Sequence, residues 1–349
     1  MKSILLTGGA GFIGSHTCLA LLEKGYSVSI IDSFANSSLK VIDRVKQIFK
    51  TNNPGSNLNL EVFDGDIRDK SFLKGVFVKI TKHKKVDGII HLAGLKSVLE
   101  SIRNPFLYWE TNVVGTINLL EIMVAYECSN FVFSSSATVY AKTINNLLKE
   151  DSYIKPESPY GNSKASAEIF MKDIFNAPFN DAKFASLRYF NPIGAHHSGL
   201  LGENPITKPT NIFPLIVNTA MGFQKELEVY GNDWPTEDGT AIRDYIHIMD
   251  LADAHLKILD YLIENENVFL NLNIGTGIGT SVLELVKTFE RVNNVKVPYV
   301  FKKRRSGDTA YLVADNSISA KKFDILPKQS VEKMCKDGWK WKILNPNGI

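Results

Sequence analysis

Over the first 190 residues, apolar stretches of strand length alternate with longer segments of helical periodicity. KSILLTGG opens the series as a buried strand, and GSHTCLALLEKG follows as a helix stopped by Gly25. Strands are expected at YSVSIID (26–32), LEVFDGDIRD (60–69), VDGIIHLAG (86–94), NFVFSSSATVY (130–140) and FASLRYFNPIG (184–194). Helices are expected near 36–50, over TNVVGTINLLEIMVAY (111–126) and over 158–175. Strands alternating with helices predict an α/β chain with a doubly wound parallel sheet covered on both faces.

After Asn191 the texture changes. GAHHSGLLGENPITKPTNIFP is rich in turn formers and poor in periodicity, so a smaller second domain is expected to start there. DYIHIMDLADAHLKILDYL (244–262) and FLNLNIGTG (269–277) again pattern as strand and helix and are expected to return to the first domain. The expected division is therefore 1–190 plus 244–277, and a discontinuous α/β domain of 191–243 plus 278–349.

The 349 residues, 44% of them hydrophobic, support one or two domains with a large core. A net charge of +3 with 22% charged residues is too balanced to indicate nucleic acid or a membrane surface. Cys18, Cys128 and Cys335 are far apart and form no CxxC pair, so neither a metal site nor a disulfide framework is indicated. Reduced thiols in a cytoplasm are expected. The apolar run 3–22 contains four glycines and Ser15, His16 and Thr17, which argue against a membrane span.

TGGAGFIG (7–14) places Gly8, Gly11 and Gly14 between an expected strand and helix. Small residues there let backbone approach a pyrophosphate, while the following helix aims its first amides at the anion. Asp32 ends the next strand, where a carboxylate accepts hydrogen bonds from ribose hydroxyls or simply caps the strand end. Its neighbours Ser33, Phe34, Ala35 and Asn36 offer no base for a 2′-phosphate, which predicts NAD over NADP.

SPYGNSK starts the helix at 158 and sets Tyr160 four residues before Lys164, on one helix face. The pair reads either as solvated helix surface behind a Ser158 cap, or as chemistry. An ammonium beside a phenol favours the phenolate and lowers its pKa from roughly 10 toward neutral. Just before this helix, SSSATVY (134–140) puts Ser136 and Thr138 at the C-terminal end of a strand, where open parallel sheets bind ligands. These hydroxyls either bond local backbone or donate to a sugar oxygen.

Together TGGAGFIG, Asp32, SSSATVY and Tyr160-GNS-Lys164 resemble the extended short-chain dehydrogenase/reductase family. GDIRD, HLAGLKSV, TNVVGT, LRYFNPIGAH, TEDGTAIRDYIHIMDLADAH and RRSGD follow in order and resemble the UDP-glucose (UDP-galactose) 4-epimerases of that family, over nearly the whole chain. The resemblance implies an NAD-binding Rossmann domain, a UDP-hexose substrate, a homodimer through helices 112–126 and 160–175, and no metal. The implied reaction inverts C4 through a 4-keto sugar, with Tyr160 and Lys164 handling the proton and Ser136 and Thr138 orienting it.

It further implies that NAD is held by Gly8, Gly11, Phe12, Ile13, Gly14, Asp32 and Asn36, with Asp66 and Ile67 lining the adenine pocket. Leu92, Ala93, Gly94, Lys96, Asn112, Ser134, Tyr160, Lys164 and Tyr189 complete the cofactor set. For the nucleotide sugar it implies Lys96, Ser136, Tyr160, Phe190, Asn191, Asn211, Ile212, Glu228, Tyr230, Arg243, Tyr245, Arg305, Asp308 and Leu312. Arginine suits the diphosphate because its planar fork donates to two oxygens together.

Departures from the pattern are informative. The related 4,6-dehydratases carry an acidic pair after the strand-end serines; Ala137-Thr138-Val139 carries none. Leu92 and Ala141 replace a common Phe and Gly with apolar or small residues. Leu312 falls where a tyrosine is associated with glucose-type substrates only. It either simply packs, or leaves room for an N-acetyl group, which would admit UDP-GlcNAc and UDP-GalNAc. A reductase releasing NADH and a silent sensor of nucleotide sugars are the alternatives.

Overall fold

The strand and helix alternation of the first half folds in chain order in a computed structural model that describes residues 1–142, 147–178, 181–206, 209–305 and 307–349. It begins β1 Ser3–Thr7, α1 Phe12–Glu23, β2 Ser27–Asp32, α2 Leu39–Asn52, β3 Leu60–Asp64, α3 Lys70–Thr81 and β4 Gly88–His91. Then come α4 Val98–Arg103, α5 Pro105–Trp109, a π turn Glu110–Val114, α6 Gly115–Ala125, β5 Asn130–Ser136 and a 3-10 turn Ala137–Val139. α7 Pro159–Asn176 and β6 Lys183–Tyr189 follow.

The remainder runs β7 Asn191–Ile193, α8 Ile212–Ala220, β8 Leu227–Tyr230, β9 Ile242–His247, α9 Ile248–Glu264 and β10 Phe269–Ile274. It ends with β11 Gly279–Ser281, α10 Val282–Asn293, β12 Tyr299–Lys302, β13 Tyr311–Leu312, α11 Ser317–Phe323 and α12 Val331–Leu344.

Among the described residues, seven strands form one sheet in the order β10-β6-β5-β4-β1-β2-β3. β3, β2, β1, β4 and β5 pair in parallel, with Thr7 opposite both Ile31 and His91. The order reverses beside β1, the switch point at which doubly wound Rossmann sheets bind ligands at their strand C-termini. β1 and β4 are buried along their whole length, as strands covered on both faces must be. Leu5, Ile31, Phe77, Ile89, Leu119, Met123, Phe131 and Phe184 form the core of this part.

Two compact units divide the chain: Met1–Val139, Ile154–Arg188 and Ala252–Leu272, and Tyr140–Tyr153, Tyr189–Leu251 and Asn273–Ile349. In the second, β9 pairs in parallel with β7 and β13 and antiparallel with β11. Phe213, Ile216, Tyr245, Leu285 and Phe289 lie in its core.

Local expectations differ from the fold at three places. The single strand expected over 184–194 is two, because Pro192 cannot donate to a central ladder and β7 pairs with β9 instead. β9, expected with the first domain, sits in the second unit's sheet for the same pairing reason. Residues 140–153 also join the second unit, where Leu148 donates to the Val313 carbonyl and accepts from the Asp315 amide.

Candidate active site

In the first unit, β1 runs into the glycine turn that precedes α1. Gly8 has φ +70°, and a Cβ on it would lie 2.6 Å from the Ala93 nitrogen. A Cβ on Gly14 would lie 2.0 Å from the Gly8 carbonyl oxygen. Glycine is therefore required for the turn to close onto β4 and for α1 to start against it. Gly11 is the N-cap of α1 and offers no side-chain acceptor to the helix amides. A twelve-residue helix opening without a side-chain cap behind a tight glycine turn fits the diphosphate of a dinucleotide.

Asp32, 7% exposed, accepts from the Ala10 amide at 2.9 Å, the Phe34 amide at 2.9 Å and the Ser37 hydroxyl at 3.0 Å. The turn and the strand-end carboxylate are thus one structure. Ser37, which no sequence motif marked, is part of it; Asn36, which was marked, is exposed. Ile67 is buried against Gly115, and Asp66 is held in a fork by Arg68 at 2.7–3.1 Å. The Arg68 guanidinium holds the Asp66 carboxyl below its ordinary range.

Asn112 lies on the π turn, a geometry frequent at functional sites. Its carboxamide accepts from the Leu95 amide at 2.8 Å and donates to the Leu95 carbonyl at 3.0 Å and to Ser163 Oγ at 3.1 Å. It thereby ties the 94–96 loop, which carries Gly94 and Lys96, to α7. A Cβ on Gly94 would come 2.9 Å from Asn112 Oδ1 and 3.7 Å from Lys164 Nζ. Leu92 and Ala93 are anchored by Thr7, through its carbonyl and its hydroxyl. Ser134 is half-buried on β5.

α7 starts as its sequence expects: the Ser158 hydroxyl accepts from the Gly161 amide at 3.1 Å, and Pro159 occupies the first turn. Tyr160 and Lys164 do not lie on a solvated face. Lys164 is 4% exposed, with Nζ 4.8 Å from the centre of the Phe133 ring. Tyr160 lies beside Ser136, whose hydroxyl accepts from Thr138 Oγ1 at 3.0 Å. The first unit thus gathers Tyr160, Lys164, Ser136 and Thr138.

The electrostatics differ from the sequence expectation. Burial pushes the Tyr160 phenol above its ordinary value, and only the neighbouring Ser136 hydroxyl opposes it. Burial also lowers the Lys164 ammonium to about 8, against a smaller raising effect of Glu168. Desolvation disfavours the charged form of each group, and here it outweighs what Ser136 and Glu168 do in the opposite direction.

In the second unit, Arg243 on β9 donates through one guanidinium nitrogen to the Ile242 and Thr309 carbonyls at 2.8 and 2.9 Å. Its other terminal nitrogen lies 3.9 Å from Asp308. Leu312 pairs in register with Arg243, which brings Arg243, Asp308 and Leu312 together. Asn191 and Tyr245 are in register on β7 and β9, and the Asn191 Oδ1 and Tyr245 hydroxyl are buried without a hydrogen-bond partner. Buried polar atoms of this kind fit a polar ligand.

Arg305 stacks over the Tyr230 ring at 3.8 Å, and the Tyr230 hydroxyl donates to Glu228 at 2.5 Å. Sequence motifs missed the neighbouring pair, Arg304 over Trp234 at 4.0 Å. Asn211 is the N-cap of α8 and leaves its side chain uncommitted to the cap, with Ile212 next to it. Tyr189 and Phe190 are buried. Ser306 of the RRSGD motif lies outside the described residues.

Known proteins resemble the chain over nearly its whole length. The GDP-mannose 4,6 dehydratase family model matches residues 5–338. A bifunctional UDP-glucose 4-epimerase and UDP-xylose 4-epimerase of Pisum sativum is 46% identical over 350 residues, covering 99% of this chain and 97% of its own. The crystal structure of UDP-glucose 4-epimerase from Bifidobacterium longum in complex with NAD+ and UDP is 40% identical, with a TM-score of 0.92 and 100% of both chains covered. That of Stenotrophomonas maltophila, with bound NAD and formylated UDP-arabinopyranose, is 38% identical, with a TM-score of 0.92 over 99% of this chain and 98% of that one. The 3-10 turn Ala137–Val139 offers no carboxylate of the kind a 4,6-dehydratase carries. The chain belongs to the UDP-glucose 4-epimerase family, within the extended short-chain dehydrogenases/reductases.

Proposed function

We propose that this chain is an NAD-dependent UDP-glucose 4-epimerase that interconverts UDP-glucose and UDP-galactose through a 4-keto sugar. The observation that carries the reading is Tyr160 beside the strand-end hydroxyl of Ser136, with the buried Lys164 one turn further on, in the unit that holds the glycine turn.

Tyr160 takes the proton of the C4 hydroxyl at its phenolic oxygen and returns it after the sugar has turned over. Ser136, steadied by Thr138, orients the phenol and the sugar oxygen. Lys164 supplies positive charge to the phenolate and hydrogen bonds to the nicotinamide ribose. When bound, NAD supplies the acceptor and donor of the C4 hydrogen and a positive ring charge that favours the phenolate. Gly8, Gly11, Phe12, Ile13 and Gly14 hold its diphosphate, Asp32 the adenosine ribose, Asp66 and Ile67 the adenine, and Gly94, Lys96 and Asn112 its middle. In the second unit Arg243 and Arg305 bind the substrate diphosphate, Asp308 the uridine ribose, and Asn191 and Asn211 the sugar phosphate.

Two finer readings accompany this one. A homodimer forms through the helices at 112–126 and 160–175, where Val114, Val124 and Ile169 are exposed, and Ile102 and Phe106 on α4 and α5, which pack against α7, are 58% and 88% exposed beside them. The cytoplasm is the location, supported by three cysteines that are all free and buried.

NMR of the purified protein with UDP-galactose, following the anomeric signals, tests the function. Appearance of UDP-glucose without net NADH is the expected result. No conversion despite bound NAD would overturn the assignment. Net NADH would replace it with a dehydrogenase.

A further inference from the structure

α7 presents a third residue in line with Tyr160 and Lys164, because Glu168 follows at the next i+4 step. Glu168 and Arg188 are 7% and 2% exposed. Arg188 grips the carboxylate in a fork, Nε to Oε1 at 3.0 Å and a terminal nitrogen to Oε2 at 2.7 Å. The Ser135 hydroxyl adds a third donor to Oε1 at 2.5 Å. Ser135 directly precedes Ser136, so α7 is tied to β5 at the residue next to the one beside Tyr160.

Burying two charges costs more than filling the same space with apolar side chains, so such a pair is weak evidence for stability alone. Its surroundings leave one group for it to act on. β4 brings His91, which is neutral: the Thr116 hydroxyl donates to the Asn112 carbonyl and accepts from His91 Nε2, so Nδ1 accepts from Thr7. Burial lowers that imidazole to about 3. β5 brings the uncharged Phe133 ring, and the π turn brings the amide of Asn112. Tyr160 is neutral in its pushed-up state. α5 brings Tyr108 against Tyr160, its phenol pushed up by burial and donating to Glu100 of α4. The charge that acts on Lys164 is Glu168 on α7, itself gripped by Arg188 on β6.

We propose that Glu168 and Arg188 are positioning residues for Lys164: the clamped carboxylate supplies the counter-charge one turn below the ammonium, and Arg188 with Ser135 fixes how far that charge stands from it. The proposal rests on the epimerase reading and deepens it. Glu168 touches neither proton nor sugar in this scheme and acts through Lys164. Consistent with it, Glu168 is the one charge that raises the Lys164 ammonium against burial.

The test is the pH profile of kcat for UDP-galactose epimerisation by the NAD-loaded wild type, E168Q and E168Q/R188Q, with Tm measured beside it. E168Q removes the counter-charge of Lys164 and leaves Arg188 without its carboxylate. Its alkaline limb is expected to move to lower pH by about half a unit or more, roughly a threefold loss at a pH on that limb. The double variant removes both charges and is expected to move back toward wild type. Alkaline limbs unmoved in both variants, whatever their Tm, would overturn the proposal and leave the pair a structural clamp. If E168Q does not fold, E168D carries the test: a smaller downward move supports the proposal and an unmoved limb overturns it. A wild type without epimerase activity would instead overturn the functional reading beneath it.

Discussion

The ring of Tyr108 meets the ring of Tyr160 edge-on, with centroids 6.4 Å apart and planes at 84°. Tyr108 is fully buried on α5, and its hydroxyl accepts from the Ser97 amide at 2.9 Å and donates to Glu100 at 2.8 Å. A second tyrosine, pinned at its far end, thus lies edge-on to the one proposed to handle the proton. An edge-to-face pair contributes about 0.5–1.5 kcal/mol beyond its buried area. Tyr108→Leu is expected to lower kcat by about 2- to 12-fold with KM little changed, whereas Tyr108→Phe, which keeps the ring, should retain more activity. Steady-state kinetics of the two variants decides this.

Lys164 is a buried cation whose proposed role opposes stability. Its folded value near 8 lies below the ordinary 10.5, so the unfolded chain binds more protons between those values and stability rises with pH across that window. At neutral pH the charged ammonium is therefore destabilising, by on the order of 3 kcal/mol. Lys164→Met is expected to raise Tm at pH 7 and to flatten its rise between pH 8 and 10.5 while removing turnover. Calorimetry across that range, set against the epimerase assay, checks both halves.

Tyr160→Phe keeps the ring and its contact with Tyr108 and removes only the hydroxyl proposed to exchange the proton. Loss of a positioned acid–base group costs about 100- to 10,000-fold in kcat. NAD content, read from absorbance after denaturation, is expected to be unchanged, which separates lost chemistry from lost cofactor.

Gly14→Ala would drive a Cβ to 2.0 Å from the Gly8 carbonyl oxygen, a backbone atom that cannot yield by rotating a side chain. Overpacking of this kind costs about 1–3 kcal/mol. The turn is expected to open, with weaker NAD binding in a calorimetric titration and a lower Tm of the NAD-bound protein.

Leu312 lies in register with Arg243 on β13, half-exposed. We expect turnover of UDP-GalNAc as well as UDP-galactose, and Leu312→Tyr should suppress the first while sparing the second. A coupled assay with both sugar pairs checks it; no detectable UDP-GalNAc turnover by the wild type would leave Leu312 a packing residue.

What the sequence by itself determined is local. The strand, glycine turn and helix of 3–23, the capped start of α7 and the i, i+4 step from Tyr160 to Lys164 depend on neighbours within a few residues, and periodicity and capping chemistry record those directly. Asp32 could be picked out for the same reason, as a carboxylate ending the next strand.

Only the tertiary structure decided where the long-range partners fell. β9 joined the second unit because its ladder partners lie on β7, β11 and β13, up to about seventy residues away, and hydrogen-bond pairing between strands leaves no short-range signature. Tyr108, Ser37 and the Glu168–Arg188 pair escaped notice because each acts on a residue that folding, not spacing, brings to it. The direction of the Tyr160 shift was decided the same way. Sequence showed a lysine one turn from a phenol, but the sign depends on how much water reaches them, and burial is a property of the packed fold.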